Sequence, residues 1–143
     1  MPDVAADPIA ALVEVLKADA ATAALVGVRV FGGELPEAEA AAMPRRAITL
    51  APSGGTSLTG GSYVEHDTAR VDLFAYGATP REAKQLADTA ALALRRVRRS
   101  VLANTLVHWV QPAGGATDGR DPDAAWPRSF RSFQVFYALA ALA

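Results

Sequence analysis

Residues 69–99, ARVDLFAYGATPREAKQLADTAALALRRVRR, constrain the fold more than any other stretch. They read as a strand, a tight turn and a long amphipathic helix. Across Arg70–Tyr76, Val71, Leu73 and Ala75 alternate with Arg70, Asp72 and Phe74, the period-two pattern of a strand with unequal faces. Gly77 ends the strand, because glycine takes turn dihedrals without a Cβ penalty. Thr79-Pro80-Arg81-Glu82 then opens a helix. Thr79 and Glu82 are spaced for a reciprocal capping box, and Pro80 sits at the first helical position, where its missing N–H costs nothing.

The apolar stripe Ala83, Leu86, Ala90, Ala93, Leu94 and Val97 predicts a helix running to about Arg99. Arg95, Arg96, Arg98 and Arg99 crowd its last turn, opposite the negative end of the helix dipole. Leu92 falls on the polar side, near Arg81, Gln85, Arg96 and Arg99. It is either a solitary exposed leucine, which needs no explanation, or a contact with a second subunit.

The rest of the chain adds helices and strands around this unit. Asp7-Pro8 is a helix start, with Ile9, Leu12, Val13 and Leu16 on one face. Asp19 predicts a second N-cap and Gly27 a stop. Strands are expected at 28–31, 47–51, 105–111 and 129–139. A strand start at Tyr63–Glu65 is expected to run on, through a bend, to Val71. Residues 32–46 read mainly as loop, with one helical turn at 37–42. Residues 53–62 read as a flexible Gly/Ser/Thr loop, and residues 112–127 as a second long loop. The fold class is therefore α+β: a mixed, mainly antiparallel sheet packed against the long amphipathic helix and an N-terminal helix. Residues 1–143 are expected to form one domain, a length that supports a real core. Strands near Trp109 and Phe136 carry apolar residues on both faces. Helices can cover only one, so a long loop or a neighbouring chain must bury the other.

Composition narrows the function. The net charge of −1 makes the chain a poor generic nucleic-acid binder, although one face can still be basic. There is no cysteine, so disulfides and thiolate chemistry are excluded. With two histidines a zinc site of the usual kind is not expected. No apolar run approaches the roughly 20 residues that span a bilayer. No signal peptide is visible either, so first folding in a cytoplasm is expected.

No catalytic constellation assembles. The glycines at 53–62 lack the Lys-Ser or Lys-Thr of a phosphate loop, and a strand rather than a helix follows them. His66-Asp67 is adjacent in sequence only, and its side chains point to opposite faces of an extended chain. His108 reads as a structural or surface histidine. Asp118, Asp121 and Asp123 have oxygen ligands that suit calcium, but they lack the ordered loop and the distal glutamate. Turn chemistry accounts for them more simply. No cofactor and no metal are expected, and no catalytic residue is assigned.

In order along the chain come Asp7-Pro8-Ile9-Ala10-Ala11-Leu12-Val13, Leu25-Val26-Gly27 with Val30, Gly33-Glu34-Leu35-Pro36, and Met43-Pro44-Arg45 before a strand. Val71-Asp72-Leu73 then leads into Tyr76-Gly77-Ala78-Thr79-Pro80-x-Glu82-Ala83. Pro112-Ala113-Gly114-Gly115, Arg120-Asp121-Pro122-Asp123 and Trp126-Pro127 precede the terminal strand. Together they resemble the phage tail completion (tail terminator) family of long-tailed phages and gene-transfer particles. The resemblance implies a non-enzymatic virion protein of the tail, assembled in the host cytoplasm. Its subunits would form a ring, typically a hexamer, at the head-proximal end. The ring would cap the tail tube, stop tube polymerisation and dock to the head connector. Implied partners are further copies of the chain, the tail tube protein and the head-connector or head-closure protein. DNA would cross the ring lumen without specific binding, and no membrane is involved. A head-closure or connector subunit of the same particle is the alternative. A small enzyme or ligand-binding module built on the 53–62 loop or the aspartate cluster is a third.

Arginine is enriched at interfaces. On that ground Arg45, Arg46, Arg120 and Arg128 are expected partner anchors, and Leu92, Arg95, Arg96 and Arg99 an expected subunit contact.

Overall fold

The computed structural model describes residues 4–54 and 65–142. Helix α1 (Pro8–Ala18) starts where Asp7 accepts from the Ala10 amide, and α2 (Ala20–Val26) where Asp19 accepts from the Thr22 amide. The chain leaves α2 through Gly27 at φ 60°, a left-handed conformation that favours glycine. Strand β1 (Val30–Gly32) comes two residues later than the expected start at Val28. The helical turn expected at 37–42 is α3 (Glu37–Ala42). It is followed by β2 (Ala47–Pro52), β3 (His66–Tyr76) and α4 (Pro80–Arg95). Then come β4 (Ser100–Leu102), β5 (Thr105–Pro112), β6 (Thr117–Arg120) and β7 (Pro127–Ala138).

The sheet order is β1-β2-β3-β7-β5-β4, with β6 also on β7. Only β1 and β2 pair in parallel; every other pairing is antiparallel. The architecture is α+β, as expected. β3 and β7 run in unbroken register from His66–Ala138 to Tyr76–Arg128, so no bulge interrupts β3 between His66 and Val71. On the other edge of β7, β6 takes residues 127–130 and β5 takes 133–137.

Both α1 and α4 pack on one face of the sheet. Leu12, Leu16, Ile48, Leu50, Val71, Leu73, Leu86, Leu94, Val107, Phe133 and Val135 meet there in one core. Val71 and Phe133 are direct partners across β3 and β7, so their large side chains share that face.

Two expectations are corrected and one strand is added. First, α4 ends at Arg95 rather than Arg99. The Arg96 and Val97 amides turn back to the Ala93 and Leu94 carbonyls at 3.3 and 3.2 Å, tightening the last turn. Arg98 and Arg99 therefore lie outside the helix. Val97 still packs on the core, which is why the apolar stripe overruns the helix. Second, Ser100–Leu102 forms a hairpin with β5 through Ala103 and Asn104, at φ 49° and 59°. That is a two-residue turn with two left-handed residues, written without glycine. Third, the loop expected at 112–127 contains β6, which is short, polar and exposed. The readings of 55–62 as part of a loop and of 63–64 as a strand start fall outside the described residues.

Gly77 is needed for a different reason than its turn suggests. A Cβ there would lie 2.6 Å from the Ala83 amide nitrogen and 2.7 Å from the Glu82 Cβ. The first turn of α4 closes directly over it. Thr79 caps that turn by accepting from the Glu82 amide at 3.2 Å.

Candidate functional site

The expected partner residues separate into two groups. Arg45, Arg46, Arg120 and Arg128 are engaged inside the chain. Arg45 makes two hydrogen bonds to Glu39, at 2.8 and 2.7 Å. Glu39 is buried, and these bonds hold its carboxyl below the usual carboxylate range; Arg29, at 3.9 Å, adds to the effect. Arg46 approaches Glu82 at 3.4 Å. Arg120 donates to the Ala125 carbonyl at 3.0 Å. Arg128 pairs with Asp121 at 3.6 Å and lies over the Phe74 ring, 4.6 Å from its centroid.

Leu92, Arg95, Arg96 and Arg99 are exposed, and Leu92 is 50% accessible despite its position in a well-packed helix. Among the described residues, none of these three arginines enters an ion pair of 4.0 Å or less. Leu92 and Arg95 lie together, whereas Arg99 stands beyond the helix end, toward His108. The structure thus does not gather all four on one helical turn.

Leu92 and Arg95 form one wall of a groove of about 410 Å³ with Asp88 and Ala91. The opposite wall is Pro112, Gly114 and Ala116, and the floor is Arg131, Ser132 and Phe133 of β7. The groove exists because β5 leaves β7 at Pro112 and β6 joins it only at Thr117.

Asp88 and Arg131 organise the floor. Asp88 accepts from Lys84 and from Arg131, each at 2.8 Å. Lys84 first and Arg131 second hold the Asp88 carboxyl below its ordinary range. Arg131 is 12% exposed and also donates to the Ser129 hydroxyl and the Phe130 carbonyl. Asp118 lies 3.6 Å from Arg131 and accepts from Ser129. Sequence reasoning missed Asp88 and Arg131. The four-residue spacing of Lys84 and Asp88 signals a helix-surface pair. Nothing local signals Arg131, which reaches Asp88 from 43 residues away.

The aspartates at 118–123 serve turns and internal pairs. Asp121 accepts from the Asp123 and Ala124 amides at 2.9 and 2.8 Å. Among the described residues, no group of three or more His, Cys, Asp or Glu side chains is arranged to hold a metal ion. None of the helices is long and apolar enough to cross a membrane.

The second face of the sheet, away from the helices, carries Phe74 and Phe130, 5.4 Å apart, and Trp109 and Phe136, also 5.4 Å apart. These rings are half-buried. Among the described residues, no helix covers them.

Helices on one face of a mixed sheet, paired arginines and an open groove beside an exposed leucine define a small α+β fold that offers surfaces for contact. The model of the family described as tail completion protein gp17 matches residues 10–138, and the chain belongs to that family. It is therefore a structural component of a phage-type tail. No curated protein matches the chain in sequence. Among solved structures, it is similar to a chain from the virion of a native gene transfer agent (GTA) particle. The two are 20% identical, with 90% of this chain and 92% of that one covered and a TM-score of 0.65; at that identity the likeness is one of fold. The bacteriophage SPP1 gp17 protein is 17% identical over 90% of this chain and 86% of that one, with a TM-score of 0.45.

Proposed function

We propose that the chain acts as a single domain that assembles into a ring, a hexamer, on the head-proximal end of the tail tube. The ring ends tube polymerisation and presents a docking surface to the head connector or head-closure protein. Its assembly takes place in the host cytoplasm, and DNA passes through its lumen without sequence-specific contacts. Family membership across residues 10–138 carries the proposal. The structural likeness to a chain of a gene transfer agent virion is in keeping with it.

A ring of identical subunits needs two different complementary patches on each subunit, because its contacts are heterologous. The groove beside Leu92 suits one of them. It combines an exposed leucine, an exposed Arg95 and an Asp88–Arg131 pair that gives its floor a defined geometry. The role is one of contact rather than catalysis.

Electron microscopy of the purified protein, alone and mixed with tail tubes, tests the proposal. Rings seated on the last tube layer are expected. A protein that stays monomeric and never associates with tubes would overturn it. A ring seated on the portal would reassign the chain to head closure.

A further inference from the structure

Strands β3 and β5 are not neighbours; β7 lies between them. Yet His66, the first residue of β3, and His108 of β5 touch, with His66 Nδ1 and His108 Nε2 2.9 Å apart. Two features permit this reach. Ala138 stands opposite His66 on β7 and is too small to fill the space between the flanking strands. The register of β5 also slips between Val107 and Trp109, making His108 the extra residue of a β-bulge. A bulge re-aims a side chain, and here it turns His108 toward His66. The two rings meet edge to face, with centroids 4.8 Å apart. Phe136 packs against both, at 6.1 Å from His66 and 4.7 Å from His108, and Trp109 packs on Phe136.

A nitrogen–nitrogen contact of this length needs one N–H and one lone pair. Both are present when the rings are neutral, and both remain when one ring is protonated. A second proton removes the last lone pair and sets two cations against each other. The contact must then open.

We propose that the His66–His108 pair is an acid-released latch. Closed, it ties the start of β3 to β5 across β7 and holds Phe136 and Trp109 in place on the open face of the sheet. Open, it frees that aromatic cluster and loosens the β3–β7–β5 corner. The latch is a property of the single chain and stands apart from the ring proposal.

The surrounding charges favour late release. Burial, then His66, then Arg99 push the His108 imidazole below its ordinary 6.5. Arg99 approaches from the segment before β4, and β4 itself, Ser100–Leu102, carries no charge. From β7 the nearest titratable group is Tyr137. It faces the helix side beside Asp67, and burial raises its phenol above the ordinary 10.0, so it stays neutral at acid pH. Arg70, further along β3, donates to Ser132. Glu65 precedes His66 and is exposed. Because His108 is depressed in the folded state, the unfolded chain binds more protons below 6.5. The latch's contribution to stability is complete above pH 6.5 and is lost as pH falls toward the folded value.

The chain has only two histidines, so imidazole nuclear magnetic resonance reports the pair directly. Trp126→Phe leaves Trp109 as the only tryptophan, so its emission reports the open face. Between pH 8 and pH 4, the His108 imidazole is expected to take its proton below 6.5. The Trp109 emission is expected to shift with that step. His66→Gln should raise the His108 midpoint and abolish the emission change. If that variant fails to fold, His108→Gln is the second test and should likewise abolish the Trp109 emission change. A His108 midpoint at 6.5, or one unchanged in His66→Gln, would overturn the latch.

Discussion

Arg45 grips Glu39 through two nearly parallel hydrogen bonds, 2.8 and 2.7 Å long, and so pins α3 to the start of β2. Glu39 is 8% exposed, and without Arg45 its remaining cation is Arg29 at 3.9 Å. Arg45→Ala is expected to destabilise the chain at pH 7, because it removes both hydrogen bonds from the Glu39 carboxylate and leaves it only the more distant Arg29. Glu39 is depressed below its ordinary 4.5, so the pair's contribution is complete above pH 4.5 and disappears as pH falls through the folded value. Urea unfolding of the wild type and Arg45→Ala at pH 7 and again in acid checks both statements: the gap between them should close in acid. A variant as stable as the wild type at pH 7 would show that Arg45 is free for a partner.

Gly77→Ala should destabilise the chain by about 2 kcal/mol, since the added methyl group meets backbone and has no route to relax. Replacing glycine with alanine in an unstrained conformation ordinarily stabilises by about 0.4–1 kcal/mol. The 2.6 Å approach to the Ala83 nitrogen reverses that sign. Thermal unfolding decides between them.

Leu92→Glu should leave the isolated subunit within about 0.5 kcal/mol of wild type, because the side chain is exposed on a helix whose core face it does not touch. It should nonetheless abolish or sharply weaken ring assembly. Sedimentation velocity, with circular dichroism as the folding control, separates the two effects. Intact rings would remove the Leu92 groove from the ring interface while leaving the family role untouched.

Ala103→Gly should stabilise by about 0.5–1 kcal/mol, because a left-handed alanine costs more than the extra freedom glycine brings to the unfolded chain. Ala103 sits at φ 49° in the β4–β5 hairpin and makes no demand on a side chain there. Chemical denaturation of the two proteins measures the difference. A loss of stability would mean that the turn is shaped differently.

Much of the fold is legible along the chain because its signals are local. Asp7, Asp19 and Thr79 each cap a helix within three residues, and Val71, Leu73 and Ala75 mark the buried face of β3 by alternation alone. The errors cluster where local pattern and tertiary pairing disagree. Val97 continues the stripe of α4 because it packs on the same core, yet the chain has already left the helix to pair with β5. The His108 bulge breaks the alternation of β5, so the sequence pattern places neither histidine beside the other.

By itself, then, the sequence determined the α+β class, the caps, the core face of α4 and a resemblance spanning nearly the whole chain, all set by short-range periodicity and by ordered motifs. Only the tertiary structure decided what the arginines do. Arg45 and Arg128 are bound by partners within the chain, while Arg95 stays open beside Leu92. A charged side chain reads alike in sequence whether a carboxylate awaits it or not. The pairing of Arg131 with Asp88, and of His66 with His108, rests on strand order and register, which bring together residues 43 and 42 positions apart.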